Sequence, residues 1–339
     1  MYSSFVLPYR YLTRVPQPSS IDHLTDEEVI HLVNTRPEQE SGQIAFGDDN
    51  IFRVAHDIVG KYAQDQYRVG QHIDEPSEAL TLDLVFQHTT IPVPRVRRVI
   101  RNGDSSNDIL MDYIPGRQLS VVWPTMSVEE QLRIVFTLRG YVRQLQAIRH
   151  PRSAIPGPVA PGNEARISES PIWGNVIDQR GPFADYSAFC AWFDKAQEVA
   201  QSARQTIPWL AESSRQIRRD VPLNTLMGST PLVLCHQDLN MRNILVGDDG
   251  RLWLIDWAWS GFYPPWFEYI AMKIQAEHEE QSVTNREEPF WDLMIPFICG
   301  PYYREERWLN SVSLAFMYKF ERARRTDGAS HVVIEDTLS

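Results

Sequence analysis

Three oxygen-bearing side chains, Asp238, Asn243 and Asp256, fall within one short stretch of this 339-residue chain, around Cys235-His236-Gln237-Asp238 and Ile255-Asp256-Trp257. Residues 243–246 and 251–255 carry β-type side chains and are joined by Gly247-Asp248-Asp249-Gly250, a strong hairpin signal. Folding that hairpin brings the chain back on itself. Asp256 then arrives beside Asn243, with Asp238 on the loop that enters the first strand. Such a trio suits phosphoryl transfer, whose loose transition state asks the protein mainly to position groups and neutralise charge. Magnesium takes hard oxygen ligands and keeps several waters, so the Asp256 carboxylate and the Asn243 amide oxygen suffice to hold it. The separate carboxylate of Asp238 is placed to orient an acceptor hydroxyl and take its proton. His236 is expected to brace the loop by hydrogen bonding rather than to do chemistry.

The elements that must position this segment are legible on both sides of it. Residues 1–40 read as an extension with one short helix, capped by Thr25-Asp26-Glu27-Glu28 ahead of Val29 and Val33. Residues 41–114 read as a β-rich unit: a hairpin from Ile51 and Ile58 runs, a helix over 76–86, and strands at 96–100 and 109–111. Tyr113-Ile114-Pro115-Gly116 marks a change of texture, and residues 115–339 are mostly helical. Ser127-Val128-Glu129-Glu130 caps a long amphipathic helix with Leu132, Val135, Leu138, Val142 and Leu145 along one face. Helices are also expected at 186–201, 209–219 and beyond Trp266. The fold class is therefore α+β, with a small β-rich lobe followed by a larger helical one.

Composition narrows the partners. Hydrophobic residues at 43% and charged residues at 23% are globular values, and a net charge of −11 argues against nucleic acid or an anionic membrane. Three widely spaced cysteines suggest free thiols in a reducing compartment. No apolar run approaches a membrane span and the first residues lack a basic, then apolar, leader pattern, so a cytoplasmic protein is expected.

His-x-Asp-Leu-x-x-x-Asn-Ile followed by Ile-Asp-Trp resembles the catalytic loop and metal-binding strand of the aminoglycoside-phosphotransferase and choline-kinase group. Within it, the chain is most similar to the phosphotransferase-like proteins abundant in fungi, which continue with a Gly, a Tyr-Pro and an aromatic-Glu-Tyr cluster. Gly261, Tyr263-Pro264 and Trp266-Phe267-Glu268-Tyr269 match these. The resemblance covers roughly residues 41–325 and implies a bilobal protein-kinase-like fold using ATP, or GTP, with Mg²⁺. It implies Asp238 as catalytic base, Asn243 and Asp256 as metal ligands, and Lys61 with Glu78 as the nucleotide-binding pair, the lysine contacting the phosphates and the glutamate holding the lysine. Met111, Asp112, Tyr113 and Ile114 would form the strand and linker that bind the base, although Met111 and Tyr113 also suit plain core. The chain departs from the family pattern in a sparse glycine loop at 41–47 and in Gln237, which stands where glycine is common.

Asp256-Trp257-Ala258 in place of Asp-Phe-Gly disfavours a protein substrate, so the acceptor is expected to be a small hydroxylated molecule. Tyr263, Trp266, Phe267, Phe290 and Trp291, with Glu268, Glu277, Glu279, Glu280, Glu287, Glu288 and Asp292, read either as an acidic aromatic pocket for a cationic substrate or as an acidic helix face over an aromatic core. Two function classes stay open at this level: an active small-molecule kinase, and a catalytically silent kinase-like scaffold that binds a ligand or partner.

Overall fold

The computed structural model of the protein describes residues 17–35, 50–63, 73, 75–102, 106–174, 180–206, 232–279 and 289–317. The glycine loop expected at 41–47 and the helix expected at 209–219 lie outside the described residues.

The small lobe is a four-stranded antiparallel sheet in the order β1 (Ile51–Ala55), β2 (Ile58–Tyr62), β4 (Ser106–Asp112), β3 (Val96–Asn102). β1 and β2 form the expected hairpin, and Ile58 of β2 pairs with Asp112 at the end of β4. α1 (Asp26–Thr35) starts where Thr25 and Glu28 cap each other reciprocally, as their spacing predicted. Its Val29 and Val33 join Ile21, Phe52, Ile58, Ile100 and Leu110 in one core cluster. The expected N-terminal extension thus packs into the small lobe. α2 (Ser77–His88) carries Ala79, Leu82, Leu84 and Val85 into the main core, which seats its Glu78 against the sheet.

The chain leaves β4 through Tyr113-Ile114-Pro115 into β5 (Gly116–Gln118), which pairs with β8 (Ile244–Gly247) and through it β9 (Leu252–Leu254). The linker between lobes is therefore stitched to the hairpin that carries the site. α3 (Leu119–Val122) leads to α4 (Val128–Ala147), which opens with the capping box read from Ser127 and Glu130. Ile134, Val135, Leu138, Val142 and Leu145 form its buried stripe; Leu132, expected there, is 37% exposed near the helix start, where coverage is incomplete. β6 (Gly157–Pro158) follows, then α5 (Tyr186–Thr206), β7 (Val233–Cys235), β10 (Gly261–Tyr263), α6 (Trp266–His278), α7 (Pro289–Cys299) and α8 (Tyr303–Val312). Strands β6, β10 and β7 make a third small sheet. This is the bilobal kinase-like architecture expected from the sequence.

The helical lobe packs around a cluster of aromatics that meet mostly edge-on or tilted. Trp173 lies within 5.2–6.1 Å, centroid to centroid, of Phe183, Phe189, Trp192, Phe193, Tyr263 and Phe267. Among the described residues no helix is long and apolar enough to cross a membrane.

Gly116 sits where a β-carbon would lie 2.6 Å from the Val246 carbonyl oxygen and 2.9 Å from Gly247 Cα. Gly116→Val is expected to strain the linker–hairpin pairing and lower the unfolding free energy by about 1–3 kcal/mol. Gly140, inside α4 with open space around it, provides the control: Gly140→Ala is expected to raise stability by about 1 kcal/mol. Urea midpoints of both variants decide it.

Candidate active site

The hairpin of β8 and β9 does what its turn sequence demanded: Ile244 pairs with Leu254, and the Ile255 N–H donates to the Asn243 carbonyl. Asp256 therefore emerges beside Asn243. It adopts a left-handed backbone, φ +62°, turning its carboxylate away from the strand direction. From the other lobe Lys61, on β2, reaches across. Its Nζ lies 2.7 Å from Asp256 Oδ1 and 2.9 Å from Glu78 on α2. Glu78 also accepts the Trp257 N–H at 3.1 Å, so one acid grips both the lysine and the backbone just after Asp256.

Asn243 and Asp238 form the second half of the site. The Asn243 amide nitrogen donates to Asp238 Oδ2 at 2.7 Å and to the Asp238 carbonyl at 3.0 Å. With Nδ2 committed there, the oxygen Oδ1 is the atom left for a ligand. Asp238 Oδ1 accepts from Asn240 Nδ2 at 2.8 Å and from Gln275 Nε2 at 2.5 Å. A cavity of about 350 Å³ between the lobes is lined by Lys61, Glu78, Met111, Asp112, Tyr113, Ile114, Asn243 and Asp256, together with Arg242 and the apolar Val59, Leu245 and Ile255. All eight residues expected at the nucleotide and metal positions thus border one space, and Asp238 is tied to its edge through Asn243.

A family model described as the phosphotransferase enzyme family matches residues 49–285. The chain belongs to that family. No curated protein sequence matches it. Among solved structures, aminoglycoside phosphotransferase APH(3'')-Id from Streptomyces rimosus is 16% identical over 79% of this chain and 89% of its own, with a TM-score of 0.39. The gentamicin–APH(2")-IIa complex is 16% identical over 88% and 97%, with a TM-score of 0.43. A thermostable mutant of APH(4)-Ia, bound to ADP and hygromycin B, is 14% identical over 78% and 88%, with a TM-score of 0.38.

In this phosphotransferase-family chain the loop ahead of Asp238 is braced from beneath. Glu268, buried on α6, accepts the His236 N–H at 2.5 Å and the Gln237 N–H at 3.2 Å. His236 fulfils the bracing expected of it. Its Nδ1 takes the Asp238 N–H, and its Nε2 bonds the Ile255 carbonyl, linking loop to hairpin. Gln237 adopts φ +63°, which explains why glycine is common at that place, and its Nε2 anchors the turn to the Trp259 carbonyl at 2.9 Å.

Burial governs the electrostatics. Desolvation pulls Lys61 down, but the charges of Asp256 and Glu78 outweigh it and leave the ammonium raised above its ordinary range. Burial likewise raises Asp256, yet the Lys61 charge and hydrogen bond hold it below the usual carboxylate value. Asp238 is pushed up to about 7 by burial and then by the Asp256 charge, against the pull of Arg242 and the two asparagines. Burial moves Glu268 up to about 7 and His236 down to about 4, so the histidine is neutral.

Several functional contacts were not foreseen. Asn240, Gln275 and the loop-holding role of Glu268 depend on through-space neighbours, and so does the 2.9 Å ion pair of Arg242 with buried Glu279. The only sequence signal is that Glu268, Met272, Gln275 and Glu279 share one face of α6 at helical spacing. The acidic aromatic pocket is not built from the residues named for it. Tyr263, Trp266, Phe267 and Trp291 are fully buried core, Phe290 packs on Trp123, and Glu268 and Glu279 face protein partners. Aromatic area is worth most where water is excluded, which draws these rings inward. Glu280, Glu287 and Glu288 lie outside the described residues.

Glu268→Gln is expected to lower stability by about 1–3 kcal/mol, because its amide NH2 would face a buried backbone N–H that a carboxyl oxygen, protonated or not, accepts. A carboxyl raised from 4.5 to about 7 keeps its proton in the folded state over the range where the unfolded chain has released it. Its contribution is thus full below pH 4.5 and lost as pH rises through 7. The gap between wild type and Glu268→Gln in urea midpoint is expected to narrow from pH 5 to pH 8.

Proposed function

We propose that the protein transfers the terminal phosphoryl group of ATP or GTP to a hydroxyl of a small molecule. The observation that carries this reading is the buried lysine of one lobe bonded to an acid of the other, at the mouth of a cavity whose far wall is the interlobe linker. Lys61 would contact the nucleotide phosphates, held in place by Glu78. Val59, Met111, Leu245 and Ile255 supply apolar faces for a base. In the linker, the Asp112 N–H already donates to the Arg95 carbonyl and the Tyr113 N–H to the Asp57 carbonyl. A purine edge would meet the Asp112 carbonyl and the Ile114 N–H.

The donor set fits magnesium. Asp256 is held ionised, its side chain is 32% exposed, and Asn243 has Oδ1 to offer. Asp256 and Asn243 would hold the ion, which when bound offsets the charge of the triphosphate. Asp238 orients the acceptor hydroxyl and receives its proton as the oxygen–phosphorus bond forms. The bond from phosphorus to the nucleoside diphosphate breaks, and that group leaves with the electron pair. Asp238 Oδ1 already holds two amide donors and Oδ2 one, so Oδ2 is the oxygen with room for the acceptor. The net charge of −11 and the acids of the site support amine-bearing alcohols and amino sugars as the first acceptors to screen.

Asp238→Asn is expected to lower kcat about 10²–10⁴-fold in an ADP-release assay while leaving the Mg-ATP thermal shift intact. Turnover unchanged in that variant would remove Asp238 from the base role. A wild-type protein whose melting point ignores Mg-ATP would instead favour a silent scaffold. The base must be deprotonated to act. With Asp238 at about 7, kcat/KM is expected to fall as pH drops below 7 and to level off above it. A profile flat from pH 5.5 to 8.5 contradicts this.

A further inference from the structure

The linker that faces the cavity is gripped from behind by the N-terminal segment. Arg97, on β3, has a side chain only 5% exposed, and all three of its guanidinium nitrogens are engaged. Nε donates to Asp112 Oδ1 at 2.6 Å, Nη1 to Asp22 Oδ2 at 3.1 Å, and Nη2 to the Gln17 carbonyl at 2.9 Å. Asp22 is itself preset for the arginine, since Ser19 donates to it through N–H at 2.8 Å and hydroxyl at 2.7 Å. These bonds and the Arg97 charge keep its carboxyl below the usual range.

A second tether runs in parallel. The N–H of Ser20 donates to Asp57 Oδ2 at 2.9 Å and its hydroxyl donates to Oδ1, while the Asp57 carbonyl takes the Tyr113 N–H at 2.8 Å. The Arg53 guanidinium covers the Tyr113 ring at 3.5 Å. Residues 17–24 are held in place by Ile21, buried in the small-lobe core with Val29 and Val33. Two adjacent linker residues, Asp112 and Tyr113, are therefore each tied to the N-terminal segment through an intermediary.

We propose that residues 17–24, acting through Arg97 and Asp57, form a positioning clamp that sets the linker for nucleotide binding. The inference rests on the phosphotransferase reading of the cavity. Fixing the Asp112 side chain and the Tyr113 N–H leaves the intervening peptide little rotational freedom. The clamp thus presents the Asp112 carbonyl and the Ile114 N–H in one orientation, so that nucleotide binding does not have to order them. Arg97 and Asp22 are positioning residues, and neither borders the cavity.

The test uses the full chain and measures Mg-ADP and Mg-ATP binding by calorimetry, with kcat at saturating nucleotide. Asp22→Asn, at a partly exposed position, is expected to weaken binding several-fold. Arg97→Gln is expected to weaken it about tenfold, the factor that corresponds to about 1.4 kcal/mol. Arg97→Lys is expected to recover part of the loss, since it keeps the charge but not the fork. In all three kcat should stay within about twofold of wild type, which separates positioning from a general loss of fold. Glu129→Gln, in an exposed ion pair on α4, serves as the neutral control. Wild-type affinity in both Asp22→Asn and Arg97→Gln overturns the clamp, as does a drop in kcat and urea midpoint with unchanged nucleotide affinity. Failure of the wild type to bind either nucleotide overturns the cavity reading itself, and the clamp with it.

Discussion

A lysine ammonium buried to 3% exposure between two carboxylates is the interaction on which the rest of the molecule turns. Removing a charge from water is costly unless partners lie within hydrogen-bond reach, and Lys61 has one from its own lobe and one from the other. The lysine is on β2, Glu78 on α2, and Asp256 comes 195 residues later than Lys61, past the end of the β8–β9 hairpin. For all three to meet, the small sheet must face the hairpin across the cavity. Loss of Lys61 would leave both carboxyl groups without their cation. The pairing thus favours one arrangement of the lobes over others more than it adds stability.

The same logic extends into the loop that carries Asp238. A loop this deeply buried has backbone donors that water cannot reach, and each needs a partner. Glu268 takes two of them and the His236 ring a third. Among the described residues the two non-glycine positions with left-handed backbones, Gln237 and Asp256, bracket this network. Such conformations persist in non-glycine residues only where surrounding bonds over-determine them, and both have those bonds. Asn240, Asn243 and Gln275 then crowd three amide donors onto Asp238, so that its position is set on both oxygens before any acceptor arrives.

Around this polar centre the protein is a conventional close-packed solid. The aromatic residues that looked available for substrate contact instead pack into the helical lobe, Tyr263 and Phe267 against Trp173 and Phe290 and Trp291 against Trp123. Arg242 is paired with Glu279 and borders the cavity.

Local chemistry alone determined a good deal. The two hairpins, the capping boxes at Thr25 and Ser127, and the convergence of Asp238, Asn243 and Asp256 follow from turn residues, caps and periodicity, whereas Lys61 and Glu78 are singled out by the family resemblance. Each of the former depends on dihedral preferences and neighbours a few residues apart. Only the tertiary structure decided which acids serve the site and which serve the scaffold: Asp238 and Glu268 are alike in sequence, but one meets the cavity edge and the other a pair of backbone N–H groups. It likewise decided that the N-terminal segment backs the linker and that the aromatic residues are core. The reason is burial. Whether a carboxylate finds a cation, an amide or water is set by groups tens to hundreds of residues away, whose approach no local pattern records.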